Sequence, residues 1–258
     1  MDRLGKALQK ARNMRDQIHT PPPPANYAPQ IKSTAPSYPL SQSLLLQNRI
    51  VAHLENKKEA DVFRLLRTQV LQKMKKEGLQ SLAMTSPAHG DGKSTMALNL
   101  AISIARDVKQ TALLVDLDLR KPSLSSYLGI TPIKGLNDYF ARKASLEEIL
   151  IRLPFPRLAL LPAGDSLTES SEIIGSPTMA ALAKELKARY PDRYIIYDMP
   201  PLLTQDDTLA FLPQTDATLL VCRENITRQE DITRSLALLS DTKLLGTVLN
   251  DTVYSRSQ

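Results

Sequence analysis

The chain has one cysteine, Cys222, and no apolar run near the roughly twenty residues that cross a bilayer as a helix. A lone cysteine excludes a disulfide framework. It sits inside the apolar run Ala217–Cys222, the setting of a buried, inert thiol. No signal-peptide pattern opens the sequence, so the expected location is the cytoplasm, with any membrane association peripheral or made through a partner. The basic segments lack interleaved aromatics and carry no recognised motif, which argues against a nucleic-acid partner.

Charge is unevenly spread. The net charge is +6, yet residues 1–80 hold 14 of the 33 Lys+Arg and only 6 of the 27 Asp+Glu. The basicity belongs to an N-terminal extension, which suits anionic lipid, an acidic partner or simple solvation. Within it, Leu4, Ala7, Leu8, Ala11, Met14 and Ile18 recur at helical spacing, and Arg3, Lys6, Lys10, Arg12 and Arg15 lie largely off that stripe. Residues 1–19 are read as an amphipathic helix that needs a partner surface. Residues 20–43 hold Pro21–Pro24 and read as an extended linker, with Tyr27 and Tyr38 exposed on it.

Residues 44–258 read as one α/β domain. Residues 44–51 fit a short strand or packing arm, and 59–76 a helix. Strands are expected at 80–85, 111–116, 157–162, 193–198, 216–222 and 243–249. Helices are expected at 94–107, 145–152, 177–190, 205–212 and 227–240. Nearly all-apolar strands separated by helices predict a mostly parallel sheet covered on both faces. Ligands then bind beyond the carboxyl ends of the strands.

The stretch Ser86–Thr95 says what that ligand is. It follows the apolar run Leu82–Thr85 and opens a helical pattern at Met96–Ala105. Strand, glycine-containing loop, Lys-Ser and helix form the phosphate-binding loop of nucleotide triphosphatases. Gly90, Asp91, Gly92, Lys93, Ser94 and Thr95 are the nucleotide-binding candidates. The glycines admit backbone close to a polyphosphate, and the amides and helix dipole attract it. Lys93 would reach the β- and γ-phosphates of ATP, and Ser94 would ligate Mg²⁺. The first consensus glycine is missing, replaced by Pro87. The second lysine carried by partition ATPases of the MinD/ParA type is also missing, replaced by Ala88.

Two apolar strands end in aspartate: Leu113–Asp116, followed by Asp118, and Tyr194–Asp198. Asp198 fits the magnesium-holding position after a P-loop strand. No glutamate follows it, so the base many hydrolytic ATPases place there is absent. Asp116 and Asp118 share one face of an extended segment and would sit near the γ-phosphate. Together they can bind metal and accept a proton from a nucleophile.

Taken jointly, these motifs resemble the bacterial tyrosine kinases of the CpsD/CapB type, which serve capsule and exopolysaccharide synthesis. The resemblance runs over about residues 45–250, through Arg120–Leu124, Leu161–Gly164 and Val248–Asn250. It implies an ATP- and Mg²⁺-dependent protein tyrosine autokinase of P-loop fold. It implies catalytic roles for Lys93, Asp116 and Asp118, with Asp116 the leading proton acceptor. It also implies Mg²⁺ on Ser94, Asp116 and Asp198, and an adenine contact from Asn250. In the family, Glu-x-x-Arg-x-x-Arg mediates ring-like self-association; here the segment is Asp61, Arg64 and Arg67. The implied partners are a membrane chain-length regulator (a polysaccharide co-polymerase) as activator and a tyrosine phosphatase. One departure stands out. The family's tyrosine-rich tail is reduced to Tyr254, leaving Tyr254, Tyr27 and Tyr38 as acceptor candidates.

Overall fold

The computed structural model describes residues 38–189 and 192–252. Seven strands form one sheet in the order β3-β4-β2-β5-β1-β6-β7. They are β1 Ser81–Thr85, β2 Thr111–Asp116, β3 Ile151–Arg152, β4 Leu158–Leu161, β5 Arg193–Asp198, β6 Ala217–Arg223 and β7 Leu244–Asn250. Every pairing is parallel except that of β3 with β4.

Every residue of β1, β2 and β4 is buried. Successive residues point to opposite faces, so both faces must be covered, and near-continuous apolar strings are the result. Leu82, Met84, Leu114, Ile196, Leu219 and Val221 join the core on one face. Ala83, Leu113, Val115, Ile195, Leu220 and Cys222 join the core on the other. Cys222 is buried as expected, and desolvation pushes its thiol pKa up.

The helices are α1 Gln42–Gln47, α2 Lys58–Lys76, α3 Lys93–Ala105, α4 Leu124–Leu128, α5 Leu136–Phe140, α6 Leu146–Ile149, α7 Ser170–Ile174, α8 Pro177–Arg189, α9 Asp207–Phe211 and α10 Gln229–Leu238. The α2 helix starts with Glu59 and Asp61 and ends with Lys73, Lys75 and Lys76, which complements its dipole. It packs Val70 and Met74 inward and leaves Val62 and Leu65 more than 60% exposed (63% and 61%).

The long periodic elements fall where the sequence puts them, and the short ones do not. The segment 44–51 is helix α1 and a turn, capped by Ser41, with Leu45 and Ile50 buried. The expected helix over 145–152 stops at Ile149 after one turn, held by a Ser145–Glu148 capping box. Ile151 and Arg152 then pair antiparallel with β4. The helices α4, α5 and α7 are five residues each, too short to show a 3.6-residue period. Tyr38 and Leu40 already pack against the core, so the packed body reaches into the segment read as linker. Tyr38 is half-buried rather than exposed. The amphipathic segment 1–19, Tyr27 and Tyr254 lie outside the described residues. Among the described residues, no helix is long and apolar enough to cross a membrane.

Candidate active site

The interior strand β1, between β5 and β6, runs straight into the phosphate loop, and α3 starts at Lys93 itself. The two loop glycines have different reasons. Gly90 has φ +88° with open space around it, so its role is conformational. Gly92 has φ +97°, and a Cβ there would lie 2.0 Å from Asn250 Nδ2. That amide donates to the Asp91 carbonyl at 2.9 Å, so the end of β7 is stitched onto the loop. Asp91 is buried, and its side chain braces the loop from within. It accepts from the Ala88 N–H at 2.9 Å and from Thr227 Oγ1 at 2.8 Å. Thr95 is half-buried, and its carbonyl accepts from Asn99 Nδ2 at 2.9 Å.

The strand register brings the acids to the same place. Asp116 pairs directly with Asp198 across β2 and β5, and Met84 pairs with Asp198 across β1 and β5. Lys93 lies among them. Its ammonium is 2.9 Å from Asp118 Oδ2 and 3.7 Å from Asp198 Oδ1, and it donates to Ser94 Oγ at 3.2 Å. All four of Lys93, Asp116, Asp118 and Asp198 are buried. Desolvation would lower the Lys93 pKa, but Asp198 and Asp118 outweigh it and hold it above the ordinary lysine value. Desolvation, then the Asp198 charge, push the Asp116 carboxyl up to about 8 against the pull of Lys93. Asp198 is raised mainly by burial, with Lys93 opposing.

The acids differ in what they are free to do. Asp116 accepts from the N–H groups of Asp118 at 3.3 Å and Leu124 at 3.2 Å, so it shapes the loop after β2. Asp118 faces Lys93. Neither carboxylate oxygen of Asp198 has a hydrogen-bond partner, although both are buried. An orphaned buried carboxylate near a serine hydroxyl fits a hydrated divalent cation. Among the described residues, no three His, Cys, Asp or Glu side chains form a metal site by themselves. Magnesium shared with substrate phosphates needs no such cage.

Beside these groups opens a cavity of about 830 Å³, lined in part by Lys93, Ser94, Asp118, Tyr127, Leu249 and Asn250. Several of its supports were not singled out from the sequence. Asn99 is fully buried in α3 and accepts from the N–H groups of Val51 and Ala52 at 2.8 and 2.9 Å. It also donates to the Arg49 carbonyl, so the segment after α1 is strapped over the loop helix. The only amide side chain in the run Met96–Ala105, whose one other polar residue is Ser103, was the available signal. Asp251 holds Arg49 and Arg223, and Arg223 donates to the Gly90 carbonyl at 3.4 Å. Ser123 donates to Ser94 Oγ at 3.0 Å. The proposed interface residues on α2 lie away from the acids. Arg64 pairs with Asp61, and Arg67 donates to the Ser103 carbonyl at 3.0 Å.

Comparison with known proteins agrees with this geometry. The family model described as "ATPase MipZ" matches residues 82–225. The tyrosine-protein kinase YwqD of Bacillus subtilis (strain 168) is 29% identical over 82% of this chain and 89% of its own. The succinoglycan biosynthesis transport protein ExoP of Rhizobium meliloti (strain 1021) is 31% identical over 80% of this chain, which spans only 26% of ExoP. The crystal structure of the chimerical protein CapA2B2 superimposes with a TM-score of 0.73 at 28% identity, covering 79% of this chain and 89% of that one. The chain belongs to the MipZ family of P-loop ATPases and stands among the relatives of the bacterial tyrosine kinases.

Proposed function

We propose that the protein is an ATP- and Mg²⁺-dependent protein tyrosine kinase that regulates the synthesis and export of an exopolysaccharide or capsular polysaccharide. The observation that carries this reading is Asp118 at 2.9 Å from Lys93. Many hydrolytic P-loop sites place a glutamate after the strand-end acid as the base for water, and none follows Asp198. This site adds a second and a third carboxylate on the γ-phosphate side, where a nucleophile's proton must go.

The loop amides and Lys93 hold the polyphosphate, and Lys93 neutralises charge on the transferring group. Ser94 and Asp198, with Asp116 beside them, would hold Mg²⁺, which would supply positive charge to offset the charge developing on the transferring group. The tyrosine hydroxyl attacks phosphorus, the bond to the ADP oxygen breaks, and the hydroxyl proton passes to the Asp116–Asp118 pair. Asn250 keeps its side-chain oxygen for the adenine. Of the acceptors, Tyr254 leads, followed by Tyr27. Tyr38 is the least available, because it packs on the core.

Self-association uses α2, with Asp61, Arg64 and Arg67 beside the exposed Val62 and Leu65. A membrane co-polymerase activates the kinase and brings it to the inner membrane, and a tyrosine phosphatase resets it. The MipZ match favours a second reading, a switch ATPase at the membrane without kinase activity. Incubating the full chain with Mg-ATP and the co-polymerase's cytoplasmic segment separates the two. The kinase reading expects phosphotyrosine, lost in Lys93→Ala by at least about 100-fold. Free phosphate as the sole product overturns it in favour of the switch.

A further inference from the structure

The strand ladder fixes Asp116 against Asp198, but it ends there. Asp118 lies two residues past the ladder, on the loop that leads to α4. Leu117 and Leu119 are fully buried and hold the inner side of that loop. The outer side is held by Arg120. Its Nε donates to Ser170 Oγ at 2.7 Å, and the same hydroxyl donates to Asp207 Oδ2 at 2.5 Å. A second guanidinium nitrogen, Nη2, lies 3.6 Å from Asp207 Oδ1 and 3.9 Å from Asp206 Oδ1. Ser170 and Asp207 are completely buried, at the first residues of α7 and α9.

The next residue of α9 holds the other acid-bearing loop. Thr208 Oγ1 donates to the Pro200 carbonyl at 2.7 Å, two residues past Asp198. Thr85, the last residue of β1 before the phosphate loop, donates to the same carbonyl at 2.7 Å. One turn of α9 therefore grips the Asp118 loop through Asp207 and the Asp198 loop through Thr208. Its link to Pro200 reaches the start of the phosphate loop as well.

We propose that Arg120, Ser170, Asp207 and Thr208 form a clasp that sets the spacing of Asp118 and Asp198 on either side of Lys93. This rests on the phosphoryl-transfer reading above. Arg120 is a positioning residue, acting on the γ-phosphate through Asp118. A guanidinium suits the task because its planar fork meets a hydroxyl and a carboxylate at once. Asp207 Oδ1 is buried with no hydrogen bond and only the Arg120 ion pair at 3.6 Å, so the network has no partner to spare. Losing one member frees a loop whose carboxylate must stay within a fraction of an ångström of its working position.

The test uses the full chain and three variants. Arg120→Ala removes the centre of the clasp but strands the Asp207 carboxylate. Ser170→Ala and Thr208→Val each remove one grip and leave every charge paired. ATP turnover, the KM for Mg-ATP and amide hydrogen exchange are measured on each. Turnover is expected to fall about 10- to 100-fold in Arg120→Ala, the cost of misplacing a reacting group by about 1 Å, with KM within about threefold. Ser170→Ala and Thr208→Val are expected to fall in the same direction by less. Amides of residues 117–124 should exchange faster in Arg120→Ala and Ser170→Ala, while those of β1 and β2 keep wild-type rates. Turnover within about twofold of wild type in Arg120→Ala, or loss that appears only as a raised KM, overturns the clasp. So does unchanged exchange across 117–124 in Ser170→Ala. Failure of the kinase reading would look different: wild type would release phosphate without making phosphotyrosine, and the variant comparisons would still report on the clasp.

Discussion

The two ends of the sheet carry carboxylates used in opposite ways. At the carboxyl end, Asp198 is fully buried with both oxygens orphaned and its pKa raised by burial. At the amino end of β6, both carboxylate oxygens of Asp216 are hydrogen-bonded by protein groups. It accepts from the N–H groups of Gln80 and Ser81 at 2.9 and 2.8 Å, from Ser81 Oγ at 3.0 Å, and from Lys187 Nζ at 2.7 Å. Burial would raise its pKa, but Lys187 and the two amides outweigh burial and hold it below the ordinary value. Both are aspartates at strand ends of one sheet. The difference is whether the protein itself completes the site. An acid whose partners are all protein groups stabilises the fold. An acid left incomplete in a dry site is held for something the protein binds.

Asp198→Asn probes this contrast with the largest expected effect. The change keeps shape and removes charge. On the proposed reading, in which Asp198 would hold Mg²⁺ against the phosphates, turnover should fall by at least about 100-fold. Thermal stability should hold or rise, since a buried carboxylate with no hydrogen bond and only the 3.7 Å ion pair with Lys93 is replaced by a neutral amide, while Lys93 keeps Asp118 at 2.9 Å. A variant that keeps its turnover, or that melts several degrees lower, would place Asp198 with the structural acids.

Asp216→Asn should do the reverse. Hydrogen bonds to a charged group are lost at a site that stays folded, at a cost of about 1–3 kcal/mol. The melting temperature should drop by roughly 2–4 °C for each kcal/mol in a chain of this size. Turnover per folded molecule should stay within about twofold of wild type. The pH dependence gives the sign independently. A folded-state pKa below the unfolded value means that Asp216 contributes fully above about pH 3.9 and loses its contribution as pH falls through the depressed value. Wild type should therefore exceed Asp216→Asn by a constant margin from neutral pH to about 4, and the two should converge below it. A margin that widens on acidification would contradict the assignment.

The same contrast explains what could be read in advance. Lys93, Ser94, Asp116, Asp118 and Asp198 were legible because loop chemistry and strand-end position are local properties. The parallel sheet was legible because strands buried on both faces have nowhere to put polar residues. The supports were not legible. Asn99 acts on residues 47 and 48 positions earlier in the chain, and Asp216 acts on residues 135 and 136 positions earlier. A side chain whose partners are distant backbone amides leaves no periodic trace. The short helices α4, α5 and α7 escaped for a related reason: their stability comes from packing rather than pattern. Ile151 and Arg152 escaped because two residues of edge pairing, set by contact with β4, follow directly on a helical turn.

The smallest effect calibrates the other two. Asp61 and Arg64 form an exposed pair three residues apart on α2, in water rather than in a dry site. Solvent screens such a pair, so Asp61→Asn should shift stability by no more than about 0.5 kcal/mol. Because the fold barely depends on the pair, any change in self-association measures the interface directly. If α2 joins copies of the chain, Asp61→Asn and Leu65→Ser should both lower the sedimentation coefficient at fixed concentration while the melting curve stays in place. An unchanged sedimentation profile in both variants would remove α2 from the interface. A large loss of stability would show instead that a surface carboxylate here behaves like Asp216, and the division between completed and incomplete acids would no longer follow burial.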